Sequence, residues 1–164
     1  MAIVAGMSKR RFALAPAALL AVLLTGCGLS IPSDPEGSLD RARDGVMRVG
    51  VTENRPWVEL GESSVPSGSE PALIEQFAVE LNSDVEWTTG SEAQLLHALD
   101  RGELDIVVGG FHNDTPWTDL GAITRPYLET DGPDGREKHV MIVRLGENRL
   151  LVELEEFLFE ETGQ

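Results

Sequence analysis

The sequence predicts an α/β fold built on a mostly parallel sheet with helices on both faces. Three observations carry that expectation. Apolar residues recur first at strand spacing and then at helix spacing, several times in succession, as expected when strands are joined by crossover helices. The run Leu104, Ile106, Val107, Val108 is apolar without alternation, the pattern of a central strand buried on both sides. The span from Val46 to Gln164 holds about 119 residues, enough for one hydrophobic core but not two.

The chain opens on an address. Lys9, Arg10 and Arg11 precede an apolar run from Phe12 to Leu24, followed by Leu24-Thr25-Gly26-Cys27, so residues 1–26 read as a secretory signal. The run is shorter than the roughly 20 residues of a spanning helix. Cys27 is the only cysteine, which excludes a disulfide within the chain. Residues 27–45, with Pro32, Pro35, Gly37 and Gly45, read as a tether holding one short helical stretch at Ser38 to Arg43, with the prolines stiffening it.

From Val46 the pattern becomes regular. Val46 to Thr52 alternates as a strand, Glu70 to Leu81 sets Leu73, Ile74, Phe77, Ala78 and Leu81 on one helical face, and Val85 to Thr88 is a short strand. Ser91 suits an N-cap for a helix directing Leu95, Leu96 and Leu99 inward, which Gly102 stops as a left-handed cap. The central strand ends in Gly109-Gly110, and a loop carrying Phe111, His112, Asn113, Asp114, Thr115 and Trp117 follows. His139 to Leu145 is a further strand, and Glu147 to Glu160 places Leu150, Leu151, Leu154, Phe157 and Leu158 on one stripe. The net charge of −15 becomes three units more negative once the leader leaves with its three basic residues. Such a field disfavours nucleic acid and anionic surfaces, attracts cations or a basic partner, and also serves plain solubility.

Several of these stretches together resemble a known family. Met47-Arg48-Val49-Gly50-Val51 leading to Pro56-Trp57, Gly68 before the helix with Leu73 to Phe77, Leu95 to Gly102, Leu104 to Val107, Thr115-Pro116 and Pro126-Tyr127 follow in the order of family 3 extracellular solute-binding proteins, receptors of polar amino-acid importers. The resemblance covers Val46 to about Leu158. It implies a single periplasmic-binding-protein-like (type II) lobe spanning 46–164. The second lobe, which the family inserts after a Pro-Tyr pair, is expected to be absent, and a connector at 128–138 replaces it. Cys27 resembles the lipobox cysteine of bacterial lipoproteins, which implies lipidation and an exported, membrane-anchored protein facing the periplasm or cell exterior.

In an open α/β sheet, ligands sit beyond the carboxyl ends of the strands. That places the candidate ligand-binding residues at Glu53, Asn54 and Trp57 after the first strand, and at Gly110, Phe111, His112, Thr115 and Trp117 after the central one. The two glycines admit close backbone approach or simply make a tight turn. Trp57 and Trp117 read as stacking groups for a solute or as a contact face for a partner. Family members place an arginine four residues into the Thr-Pro stretch to pair with an amino acid's carboxylate, whereas this chain has Thr118 there and Ala72 where an acidic residue is frequent. Arg55 and Arg125 are candidate substitutes or solvated charges.

Catalysis has little support. His97, His112 and His139 show no metal-ligand spacing, no serine stands in a G-x-S-x-G elbow, Asp105 reads as a strand-edge acceptor, and Glu155-Glu156 and Glu160-Glu161 read as solvated charge. No enzyme activity, cofactor or metal is expected. The expected function is binding of a small polar, amino-acid-like solute beside an ABC-type transporter, with a permease or a homodimer mate completing the site. The alternative is a non-binding interaction or regulatory subunit of a membrane complex.

Overall fold

The computed structural model describes residues 33–61, 65–133 and 135–163. The expected signal segment 1–26 and Cys27 lie outside the described residues. The elements are α1 (Ser38–Ala42), β1 (Val46–Val51), α2 (Ser69–Glu80), β2 (Asp84–Thr89), α3 (Glu92–Asp100), β3 (Ile106–His112), a 3-10 turn (Pro116–Asp119), β4 (Ala122–Ile123), β5 (Leu128–Gly132), β6 (Gly135–Val143) and α4 (Asn148–Thr162). Among the described residues, no helix is long and apolar enough to cross a membrane.

The strands form one sheet in the order β2-β1-β3-β6-β4, with β5 also paired to β6. The α/β class holds, and the sheet divides into two halves. β1 lies parallel to both β2 and β3, each link being a crossover through a helix. β6 runs antiparallel to β3, β4 and β5, because it returns through a hairpin rather than a crossover. The expected connector at 128–138 is that hairpin: β5 and β6 pair from Leu128↔His139 to Gly132↔Gly135. No second lobe is inserted between them.

Each face of the sheet has its own core. Val49, Val51, Ile106, Val108, Met141 and Val143 face α2 and α4, and Phe77 and Phe157 meet there with ring centroids 5.2 Å apart. Val107, Val140 and Ile142 face Leu95, Leu96 and Leu99 of α3 on the other side. Each fully buried large side chain contributes about 1.5–3 kcal/mol. Ser91 starts α3, its N–H donating to Gln94 Oε1 at 3.2 Å, and Gly102 ends it with φ +73°.

Three acids, Asp105, Glu147 and Asp34, organise the pole of the lobe at the foot of β3. Asp105 reads from sequence as a strand-edge acceptor, but it is fully buried just ahead of β3. It accepts from the Arg48 backbone N–H at 3.0 Å, from Arg48 Nη2 at 2.6 Å and from Arg41 Nη2 at 2.5 Å. Burial pushes its carboxyl up, yet the Arg48 and Arg41 bonds outweigh that and hold it below the usual range. Arg41 belongs to α1, so the stretch expected as a tether is partly built into the domain, and Ser38, Leu39 and Ala42 are buried. The apolar side of this short helix covers the first core, which is why it cannot hang free.

Glu147 fastens the same stretch, accepting from the backbone N–H of Ser38 at 3.0 Å and of Glu36 at 3.1 Å. Asp34, with its side chain 1% exposed, accepts from Leu39 N–H at 3.0 Å. Its carboxyl is pushed up to about 6, first by burial and then by the hydrogen bond it shares with Glu147.

Asp105→Ala leaves two arginines facing a buried gap and should cost about 3–5 kcal/mol in urea unfolding. The folded state binds the Asp34 proton more tightly than the unfolded chain. Its stabilisation is therefore complete below the ordinary value of 3.8 and lost as pH rises through about 6. In Asp34→Asn that decline should flatten, read by denaturation at a series of pH values.

Candidate functional site

Beyond the carboxyl ends of β1 and β3 the chain builds a small shelf around Trp57. After β1, Asn54 and Val58 exchange backbone hydrogen bonds of 3.0 and 2.9 Å, which folds the intervening residues back over the sheet. Trp57 is then held on several sides. Its ring stacks on the His139 imidazole with centroids 4.0 Å apart at 40°. Gly110 lies against its edge with φ +65°, where any Cβ would strike the indole and the Asn54 amide. A Cβ on Gly68 would strike its carbonyl, and that carbonyl accepts from Glu70 N–H at 3.2 Å.

The glycine pair also explains an irregularity in the sheet. Against β6, Val107 pairs with Ile142 and Phe111 with Val140, so four residues of β3 advance against two of β6. The extra length is taken up at Gly109-Gly110. The strand does not end at these glycines, as expected, but runs on to His112. Phe111 is consequently 5% exposed, packed in the α3-side core, and unavailable to a ligand. The Gly110 N–H is likewise occupied.

What occupies it is Glu70, at the start of α2 and fully buried. Its Oε2 accepts from Gly110 N–H at 2.9 Å and its Oε1 from the Tyr127 hydroxyl at 2.6 Å. Burial pushes this carboxyl up, against the pull of Tyr127 and the Gly110 and Gly109 amides. Burial and the adjacent carboxylate push the Tyr127 hydroxyl up as well, so it remains a donor. Sequence reasoning missed Glu70, although its place between Gly68 and Pro71 at a helix start marks it.

The other predicted residues scatter. Asn54 is exposed, but its amide donates to Gly109 O at 2.8 Å and clamps the bulge. Glu53 is exposed beside Arg55, at 3.5 Å. Thr115 is half-buried at the mouth of the 3-10 turn. Trp117 packs against the α3-side core and donates from Nε1 to Glu92 at 2.9 Å. Trp57 instead rests on His139, which shares a strand face with Met141 and Val143 of the other core. The two tryptophans therefore do not make one patch. Arg125 is engaged with Glu155, through Nε at 2.9 Å and its backbone N–H at 2.6 Å, which also removes Glu155 from the solvated charges.

Next to the shelf, strand pairing assembles a group that no sequence spacing announced. His112 and His139 are direct partners across β3 and β6, and Glu137 lies two residues before His139 on the same face. One donor atom from each lies within 4.8 Å of the others. This arrangement runs against the expectation that the histidines make no metal-ligand set. A cavity of about 290 Å³ opens beside it, lined by His112, Asn113, Asp114 and residues 135–138.

Tyr127→Phe removes one donor from a buried carboxylate. It should cost about 1.5–3 kcal/mol of stability with the secondary structure unchanged, read by chemical denaturation and circular dichroism.

Membrane-bound lytic murein transglycosylase F of Vibrio cholerae serotype O1 is 36% identical over 94 residues, which are 56% of this chain and 17% of the relative. The protein of that name from Aliivibrio fischeri is 33% identical over 90 residues, 54% of this chain and 18% of the relative. The chain thus spans under a fifth of the curated relatives it matches. Among solved structures, the arginine-bound form of domain 1 of TmArgBP superposes with a TM-score of 0.65 at 20% identity, covering 74% of this chain and 97% of that one. The L-cystine solute receptor of Neisseria gonorrhoeae, unliganded and open, gives 0.63 at 12% identity, covering 76% and 91%. These two likenesses concern the fold. The model of the bacterial extracellular solute-binding proteins, family 3, matches residues 47–160, from β1 to the last turns of α4, and the chain belongs to that family.

Proposed function

We propose that this chain is a lipid-anchored, extracytoplasmic binding lobe. It receives a small polar, amino-acid-like solute on the Trp57 shelf and hands it to an ABC-type permease. The observation that carries the reading is the immobilised, half-buried indole at the carboxyl ends of β1 and β3. A ring fixed before the ligand arrives costs little ordering when one does. That a lobe can stand with a ligand is supported by the arginine-bound domain 1 to which this fold is similar.

The contact set narrows to Glu53, Trp57, His112 and Thr115. Thr118 offers no guanidinium for a carboxylate, and Arg125 is already paired. The charge of −15 favours solutes carrying a positive group. One wall of a cleft buries less of a ligand than two, so the site needs a second surface, either the permease or another copy of the chain.

A second reading has one observation in its favour. The match to part of a much longer membrane-bound murein transglycosylase fits a lobe that serves as an interaction or regulatory module of a membrane complex, with the Trp57 shelf docked on protein.

A thermal-shift screen of the full chain against amino acids, polyamines and organic cations separates the two. For the first reading, a concentration-dependent stabilisation, about 2.7 kcal/mol at 100 times Kd and still rising with the logarithm of concentration beyond it, is expected in the wild type and is lost in Trp57→Ala. No shift with any solute, together with Trp57-dependent capture of a membrane protein, would establish the second.

A further inference from the structure

We infer that His112, Glu137 and His139 form a binding site for a divalent transition-metal ion of the zinc class. This goes beyond the solute reading and does not depend on it. Two imidazoles and one carboxylate are the donor set of sites that keep a coordination position open for water or another ligand. Here one donor atom from each lies within 4.8 Å of the others. Bonds of about 2.0–2.1 Å to a shared tetrahedral ion need donors about 3.3 Å apart. His112 Nε2 and Glu137 Oε2 are already at 3.6 Å. Both side chains are about one-third exposed, so they can close the remaining distance by small rotations.

His139 is the fixed member. It is fully buried, stacked under Trp57 at 4.0 Å and edge-on to His112 at 4.8 Å. Thr130 Oγ1 lies 2.8 Å from its Nε2. With the ring proton on Nε2, His139 donates to Thr130 and presents a lone pair at Nδ1, the arrangement by which an outer hydroxyl orients a metal-bound imidazole. Nδ1 is buried and, among the described residues, has no hydrogen-bond partner. A buried nitrogen left unpaired costs free energy, and an ion would satisfy it. Arg136 and Lys138, which alternate with Glu137 along β6, are drawn to Glu129 at 2.8 and 3.4 Å and do not compete for its carboxylate.

The test is calorimetric titration of the full chain, purified without a histidine tag and stripped with chelator, with Zn²⁺ and then Ni²⁺. One ion per chain is expected, with affinity at least tenfold weaker in His112→Ala and in Glu137→Gln. Thr130→Val should also weaken it, by about 10–100-fold. Melting temperatures of the metal-free variants establish that each still folds, and His139 is left intact because it supports Trp57. Absence of saturable binding overturns the site, as does binding of equal strength in wild type, His112→Ala and Glu137→Gln.

Discussion

Glu70 carries a carboxylate to a place without solvent, and the upper end of the sheet is arranged to receive it. Its two oxygens must be met by donors, and those donors come from the bulge of β3 and from Tyr127 at the entrance to β5. Three segments distant in sequence are thereby held at fixed separation. The Gly110 amide can reach the carboxylate only because β3 bulges there, and the same bulge leaves the space that the Trp57 ring fills. At the other pole Asp105 does the equivalent for α1, β1 and the foot of β3 through Arg41 and Arg48. The central strand is thus pinned at both ends by buried acids, one met by neutral donors and one by guanidinium groups.

That division explains what could be read in advance. The apolar periodicity of α2, α3 and α4 located each helix, and Ser91 and Gly102 marked the limits of α3, because these are local properties of backbone and side chain. The early half of β6 was hidden, since Arg136, Glu137 and Lys138 are polar and lie in an exposed hairpin with no buried face to impose alternation. The short helix at 38–42 was read within a tether because five residues are too few to show which side is buried, and only the uncovered core reveals why Leu39 must be buried.

The site was legible in the same uneven way. Trp57 stood out by following a strand, and it is the centre of the shelf. Phe111 was misplaced because two consecutive glycines resemble a strand end, whereas here they accommodate a bulge within a continuing strand. His112 and His139 could not be connected, since the register between β3 and β6 is set by the bulge and by the hairpin, neither of which has a sequence spacing, and Glu70 could not be matched to Gly110 and Tyr127, which lie 40 and 57 residues away. The local pattern gave the scaffold, and non-local pairing gave the chemistry.

In a receptor of two lobes, the strands between them act as a hinge, and a ligand departs only as fast as the hinge opens. Here β5 and β6 are zipped to one another up to Gly132 and Gly135 and lead nowhere else. Until a second surface covers it, a molecule resting on the Trp57 shelf has no door to wait for, so its residence time is then set by its contacts with this lobe. Weak contacts then mean rapid exchange, and occupancy follows the surrounding concentration almost without delay.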